Sequence, residues 1–324
     1  MKQFEKILYL SQPGVDQALA LSKAISLAKH HHGSLTLLEV VPQLKDKLNP
    51  LPRGVDLLAL ENQLIADRRA ALTELVDAVA ADIEVTIEVT IGKPFVEAIR
   101  QVLREQYDLL IKPVENPAWL SRIFGSDDMH LLRKCPCPLW LIKPDENLQY
   151  RNVMAAVDFD AGEAASALTD VNRTILSLSS ALALAADIPL HIVHCWQPPD
   201  EMLFKAWGNL NEEQTRTYIQ EEKQAHQLGL QTLADFLRQL VSKPVYDSGF
   251  DRFHLIEGPA NTTIPTAALR LDTDLLVMGT VARTGISGLF IGNTAEAVFE
   301  QIDCSVLVVK PEGFISPISP HGSV

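Results

Sequence analysis

The residues best equipped for chemistry lie in one stretch, Met278-Gly-Thr-Val-Ala-Arg-Thr-Gly-Ile-Ser-Gly-Leu-Phe-Ile-Gly-Asn-Thr-Ala-Glu296. Gly279, Gly285, Gly288 and Gly292 remove side chains where a backbone must turn or approach a partner closely. Asn293 reads as the N-cap of a following helix, with Glu296 three residues on completing a capping box. Such a helix start offers unpaired N–H groups and the positive end of a dipole to an anion. Thr280 and Arg283 add donors suited to phosphate oxygens. The order is neither a Walker A sequence nor GxGxxG. Two readings stand on the residues alone: a site for a phosphate-sized anion, or a glycine-rich connection ending in a capped helix.

Other reactive residue types are weaker signals. Cys135-Pro136-Cys137 has the look of a metal pair, but no second pair completes a zinc set. All four cysteines, Cys135, Cys137, Cys195 and Cys304, sit in or beside apolar strand-like runs and read as core thiols. His30-His31-His32 closes a helix, where cations favour the dipole, and consecutive helical residues cannot converge on one metal. His191 and His194 are three apart on a strand and point to opposite faces. His194 is either a hydrogen-bonded core histidine or a wall of the second-half pocket. Asp158 and Asp160 stand beside that pocket, placed to hold magnesium through water if a nucleotide is present, or to cap the following loop. No Ser-His-Asp set or general base emerges, so no catalytic residue is assigned.

The elements that position these groups follow a regular rhythm. Apolar runs alternate with helical patterns, the mark of βαβ units and a parallel sheet. The expected strands are 7–10, 35–41, 85–91, 109–111 and 139–142, then 153–157, 190–195, 253–256, 275–278 and 306–309. Helices are expected at 16–30 and 168–186, and longer ones at 55–81 and 212–240. Residues 125–144 lie over 292–311 without a gap, bringing Cys137 onto Cys304 and Lys143-Pro144 onto Lys310-Pro311. Gly92 and Gly258 end the third strands of the two copies. The chain is therefore a tandem duplication, divided at 1–146 and 147–314 with a flexible tail at 315–324. The final strands are apolar on both faces and would invite aggregation at an open edge. They are expected to pair with each other across a pseudo-twofold.

Composition narrows the partners. The 324 residues suit two domains of about 150 residues, and 47% are hydrophobic against 21% charged, as in folded soluble proteins. A net charge of −13 opposes nucleic acid and anionic membrane surfaces. The polar start of the chain, lacking an apolar leader, makes a cytoplasmic location the expectation.

With these residues in hand, the chain resembles the universal stress protein family, and in particular its tandem members. That family carries an ATP-binding motif, Gly-x2-Gly-x9-Gly-Ser/Thr. Gly279 and Gly292 match its first and third glycines; Ala282 stands for the second and Asn293 for the Ser/Thr. Asp158 matches an aspartate at the end of the first strand, and Cys195 a residue that packs on the base. The resemblance implies two adenine nucleotide α-hydrolase-like domains, each a five-stranded parallel α/β sheet with helices on both faces. It assigns Asp158, Cys195, Met278, Gly279, Thr280, Ala282, Arg283, Gly292, Asn293 and Thr294 to a site for ATP or a related adenine nucleotide, with magnesium as its companion. The role implied is regulatory, acting on unidentified protein partners, in a monomer with an internal pseudo-dimer or in a homodimer. The alternatives are a scaffold or apolar-ligand protein that binds no nucleotide, and a weak ATPase. In the first half Lys112-Pro113 replaces Met278-Gly279, Asn116 replaces Ala282 and Gln12 replaces Asp158; only Gly125-Ser126 keeps the motif. The first half is read as a degenerate copy, with Lys112 paired or solvated.

Overall fold

The computed structural model describes residues 4–44, 56–79, 83–114, 127–143, 149–161, 167–198, 212–242, 251–280 and 291–321. Ten strands and eight helices are assigned among them. The first half runs β1 (Lys6–Leu10), α1 (Ala18–His31), β2 (Ser34–Val41), α2 (Leu57–Val79), β3 (Val85–Ile91), α3 (Pro94–Glu105), β4 (Leu109–Pro113), α4 (Asp127–Lys134) and β5 (Leu139–Ile142). The second runs β6 (Val153–Val157), α5 (Asp170–Ala186), β7 (Leu190–Trp196), α6 (Glu212–Leu240), β8 (Asp251–Glu257), α7 (Ala260–Arg270), β9 (Leu275–Gly279), α8 (Asn293–Phe299) and β10 (Ser305–Val309). Among the described residues, no helix is long and apolar enough to cross a membrane.

The chain folds as two compact units, and they are not the two sequence halves. One is built from Gln3–Leu148 with Ser305–Val324, the other from Gln149–Val281 with Gly292–Cys304. In the first unit the strands lie in the order β3-β2-β1-β4-β5-β10. All its neighbours are parallel except β5 and β10, which pair antiparallel with Leu139, Trp140 and Leu141 opposite Val308, Leu307 and Val306. The expected pairing of the two final strands is thus present. The second unit has the parallel order β9-β6-β7-β8. β4, β5, β6 and β10 are buried along their whole length, as strands covered on both faces must be.

The duplication repeats its hydrogen-bond devices as well as its elements. Asp108 Oδ2 accepts from the backbone N–H groups of Glu5 and Lys6, tying down the start of β1 at 2.8 Å in each case. Asp274 does the same before β6 for Arg151 and Asn152, at 2.6 and 3.1 Å. The glycines after β3 and β8 each donate to the last residue of the neighbouring strand, Gly92 to Val41 and Gly258 to Trp196, both at 2.9 Å. Gly258 has φ +138°, which a side chain would strain. Helices α1 and α5 end on left-handed residues that are not glycine, His32 and Asp187. Gln106 and Asp272 do so after α3 and α7.

Candidate functional site

Asp158 follows the last residue of β6, and the parallel registers fix its neighbours. Val157 pairs with His194, so Cys195 comes next along β7. Ala156 pairs with Met278 on the other side, so Gly279 and Thr280 come next along β9. The carboxyl ends of three adjacent strands therefore bring Asp158, Cys195, Met278, Gly279 and Thr280 to one edge, where open parallel sheets hold ligands.

Asn172, in the first turn of α5, holds the backbone of Asp158 from both sides. Its side-chain oxygen accepts from the Asp158 N–H at 3.3 Å, and its amide donates to the Asp158 carbonyl at 2.9 Å and to the Ala167 carbonyl at 2.8 Å. Thr169 caps the helix by accepting from the Asn172 N–H at 3.1 Å. The main chain at Asp158 is fixed while its side chain lies at the surface. Sequence reasoning did not single out Asn172. Its signal was a short amide residue just inside a helix whose cap is Thr.

Cys195 is half-buried, and burial pushes its thiol up to about 12, with the Asp158 carboxylate adding to the shift. At neutral pH it is a protonated thiol and offers contact area rather than a nucleophile. Met278 is buried in β9, and Gly279 lies against α5, where an added Cβ would stand 3.0 Å from Val171 Cγ1. The glycine thus avoids a tight helix–strand contact with the Val171 side chain. Thr280 is buried, and its carbonyl accepts the Gly292 N–H at 2.8 Å, closing the two ends of the glycine-rich connection. Ala282 and Arg283 lie outside the described residues.

The helix start differs from the expected capping box. Gly292 is the N-cap, at φ −64° and ψ 144°, with no side-chain cap, and Asn293 is the first helical residue. The closure onto Thr280 sets Gly292 in the extended conformation a cap needs, so the helix begins one residue earlier than the Asn preference indicates. Asn293 and Thr294 are exposed in that first turn. The N–H groups there have no partner within the helix, because the first intrahelical bonds come from residues further on.

Beneath the edge lies an aromatic cluster. Phe159 stacks on His194 with ring centroids 3.8 Å apart. His194 Nδ1 is 3.1 Å from the Val157 carbonyl, and its Nε2 is 2.9 Å from His226 Nδ1 on α6. A carbonyl only accepts, so in the neutral ring Nδ1 carries the proton and Nε2 receives one from His226. His194 is therefore a hydrogen-bonded core residue. Gly229 makes room for Phe159, since a Cβ there would lie 2.2 Å from the ring. His191, on the opposite face of β7, pairs instead with His254, at 3.0 Å between Nδ1 and Nε2. Among the described residues no three His, Cys, Asp or Glu side chains converge as a metal site.

The first half fills the matching positions with its own polar groups. Glu39 takes the register position of His194, buried and paired to Arg68 on α2 and to Ser11 Oγ. Gln17 receives the Gln12 N–H at 3.1 Å, as Asn172 receives that of Asp158. Lys112 is buried in β4 and contacts Asp128 Oδ1 of α4 at 2.7 Å, an ion pair held by charge at short range. Gly125, Ser126 and Asn116 lie outside the described residues.

Comparison with known proteins gives one answer. A family model described as "Universal stress protein family" matches residues 3–143 and 149–310. Universal stress protein E of Photorhabdus laumondii is 25% identical over 323 residues, spanning 98% of each chain. That of Escherichia coli is 25% identical over the same span. A solved protein of unknown function from Pseudomonas aeruginosa superposes with a TM-score of 0.64 at 26% identity, covering 96% of this chain and 94% of that one.

Proposed function

The chain belongs to the universal stress protein family, and on that premise we propose that its second half holds ATP or a related adenine nucleotide in a regulatory role. The observation that carries this reading is the convergence of Asp158, Cys195 and Thr280 at the carboxyl edge of β7, β6 and β9, with Asp158 fixed through its backbone by Asn172. Asp158 would accept hydrogen bonds from ribose hydroxyls. Cys195 and Met278 would give the base an apolar contact. The exposed first turn of α8, with Gly292, Asn293 and Thr294, would meet the phosphates, with Arg283 from the glycine-rich connection. Asp158 and Asp160 would offer carboxylates to a magnesium ion accompanying the nucleotide. The first half, with Lys112 neutralised by Asp128, is a structural copy. The domain limits 1–146 and 147–314 belong to this same reading.

A second reading is favoured by two specific contacts. Gly279 is explained by Val171, and the Gly292 N–H is already taken by Thr280. Both suit a scaffold whose glycine-rich connection is structural. Calorimetric titration with ATP and magnesium separates the two, together with analysis of nucleotide released on denaturation. Nucleotide binding predicts measurable heat, weakened about tenfold or more by Asp158→Ala through the lost charged hydrogen bonds and unchanged by Gln12→Ala. Absence of heat at millimolar ATP and of carried nucleotide would leave the scaffold.

A further inference from the structure

The turn between α4 and β5 has no part in the nucleotide reading, yet it places two sulfurs together. Cys135 and Cys137 have their Sγ atoms 3.6 Å apart, and both are reduced. The local sequence explains the approach. α4 ends at Lys134, with the Cys135 N–H still bonded to the Leu131 carbonyl at 2.9 Å. Pro136 and Pro138 then restrict the backbone on either side of Cys137. The turn bends tightly into β5 with both thiols on one side.

Their surroundings are unequal. Cys135 is 1% exposed and Cys137 9%, so a small reagent meets Cys137 first. Lys310, at the end of β10, is buried and donates to the Leu132 carbonyl at 2.6 Å, on the last turn of α4. Burial lowers Lys310 to about 8, and the charge of the Cys135 sulfur acts on it in the opposite direction. Lys310 thus reaches the last turn of α4, which leads directly into Cys135.

We propose that Cys135 and Cys137 form a reversible two-electron redox site whose oxidant is a small peroxide. The Cys137 thiolate attacks hydrogen peroxide, breaking the O–O bond to give a sulfenic acid and hydroxide. The Cys135 thiolate then attacks the sulfenic sulfur, forming the S–S bond and releasing a second hydroxide. With the two thiol protons, the sum is two thiols plus peroxide giving one disulfide and two waters. A dithiol reductant reverses the reaction by exchange. The sulfurs must close from 3.6 Å to the roughly 2.05 Å of a disulfide.

The test uses the intact chain, treated with hydrogen peroxide, alkylated and read by peptide mass, with circular dichroism confirming that the fold persists. The peptide carrying Cys135 and Cys137 should lose two hydrogens and resist alkylation, recovering both thiols after dithiothreitol. Cys195 and Cys304 should remain alkylated. Lys310→Met should slow disulfide formation severalfold. In Cys135→Ser the reaction should stop at a sulfenic acid on Cys137, trapped by a dimedone probe. If both thiols of the folded wild-type chain alkylate as fully after peroxide as before, the site is not redox-active. Pairing of either with Cys195 or Cys304, or irreversible oxidation of Cys137 without a disulfide, overturns the proposal equally. The wild-type measurement decides the matter even if a variant fails to fold, and no outcome depends on nucleotide.

Discussion

Trp140 and Leu307 stand directly opposite one another in the antiparallel pair of β5 and β10. They are also the residues that the ungapped repeat alignment equates. Their flanking pairs, Leu139 with Val308 and Leu141 with Val306, are related by the same exchange, so the junction is locally self-complementary about one residue pair. Both side chains are buried. Leu307→Ala should cost about 2–5 kcal/mol, read as a lower urea midpoint, and Trp140→Ala at least as much. An unchanged midpoint for both would mean that this strand pair does not hold the unit together.

The Lys112–Asp128 pair yields a sign test. Removing one member leaves a buried charge without its partner, at a cost of about 3–5 kcal/mol. Lys112→Met and Asp128→Ala introduce the residues that the second half carries at the matching positions. Each alone should lower stability strongly. The double substitution should recover much of the loss in a denaturant double-mutant cycle, since apolar residues can replace a buried pair at little cost.

Gly229→Ala should run against helix propensity. In an exposed helix interior the change stabilises by about 1 kcal/mol. Here the new Cβ would press within 2.2 Å of the Phe159 ring. The expected outcome is destabilisation of about 1–3 kcal/mol, with a near-ultraviolet dichroism change as Phe159 shifts on His194. A raised melting temperature would show that the ring moves aside freely.

The His191–His254 pair gives a pH dependence with a defined sign. Burial, then the neighbouring His254 and Arg252, lower His191 to about 4, and His254 is lowered too. In the unfolded chain His191 takes up its proton near the ordinary 6.5. The unfolded state therefore binds more protons in between, and folding stability falls as pH drops from about 6.5 toward about 4. Urea midpoints at pH 7 and pH 5 should differ by less in His191→Gln than in the wild type.

Element rhythm was legible in the sequence because it rests on local pattern. The α6 helix keeps the expected span of 212–240, and β3 and β5 keep theirs. The pairing of the final strands was legible too, since two-sided apolar strands cannot be left at an edge. What escaped were contacts between residues far apart in sequence. His226 reaches His194 from a helix thirty-two residues away, and nothing in its neighbourhood marks it. Asn172 was hidden by resembling any helix-start residue. Asn293 was misassigned because its intrinsic preference for the cap was outweighed by the backbone bond from Gly292 to Thr280. The division into units was also not visible, because it depends on where β10 packs rather than on where the repeat ends.

That placement of β10 bears on how the chain is made. The unit containing Gln3–Leu148 takes its last strand from Ser305–Val309. During synthesis β5 emerges before the second unit, and its antiparallel neighbour only after it. At about 5–20 residues per second, the partner trails by on the order of ten seconds. For that interval the nascent chain carries an apolar strand edge that β10 has yet to cover. The unit whose strands are translated first is thus completed only after the other unit has been translated through.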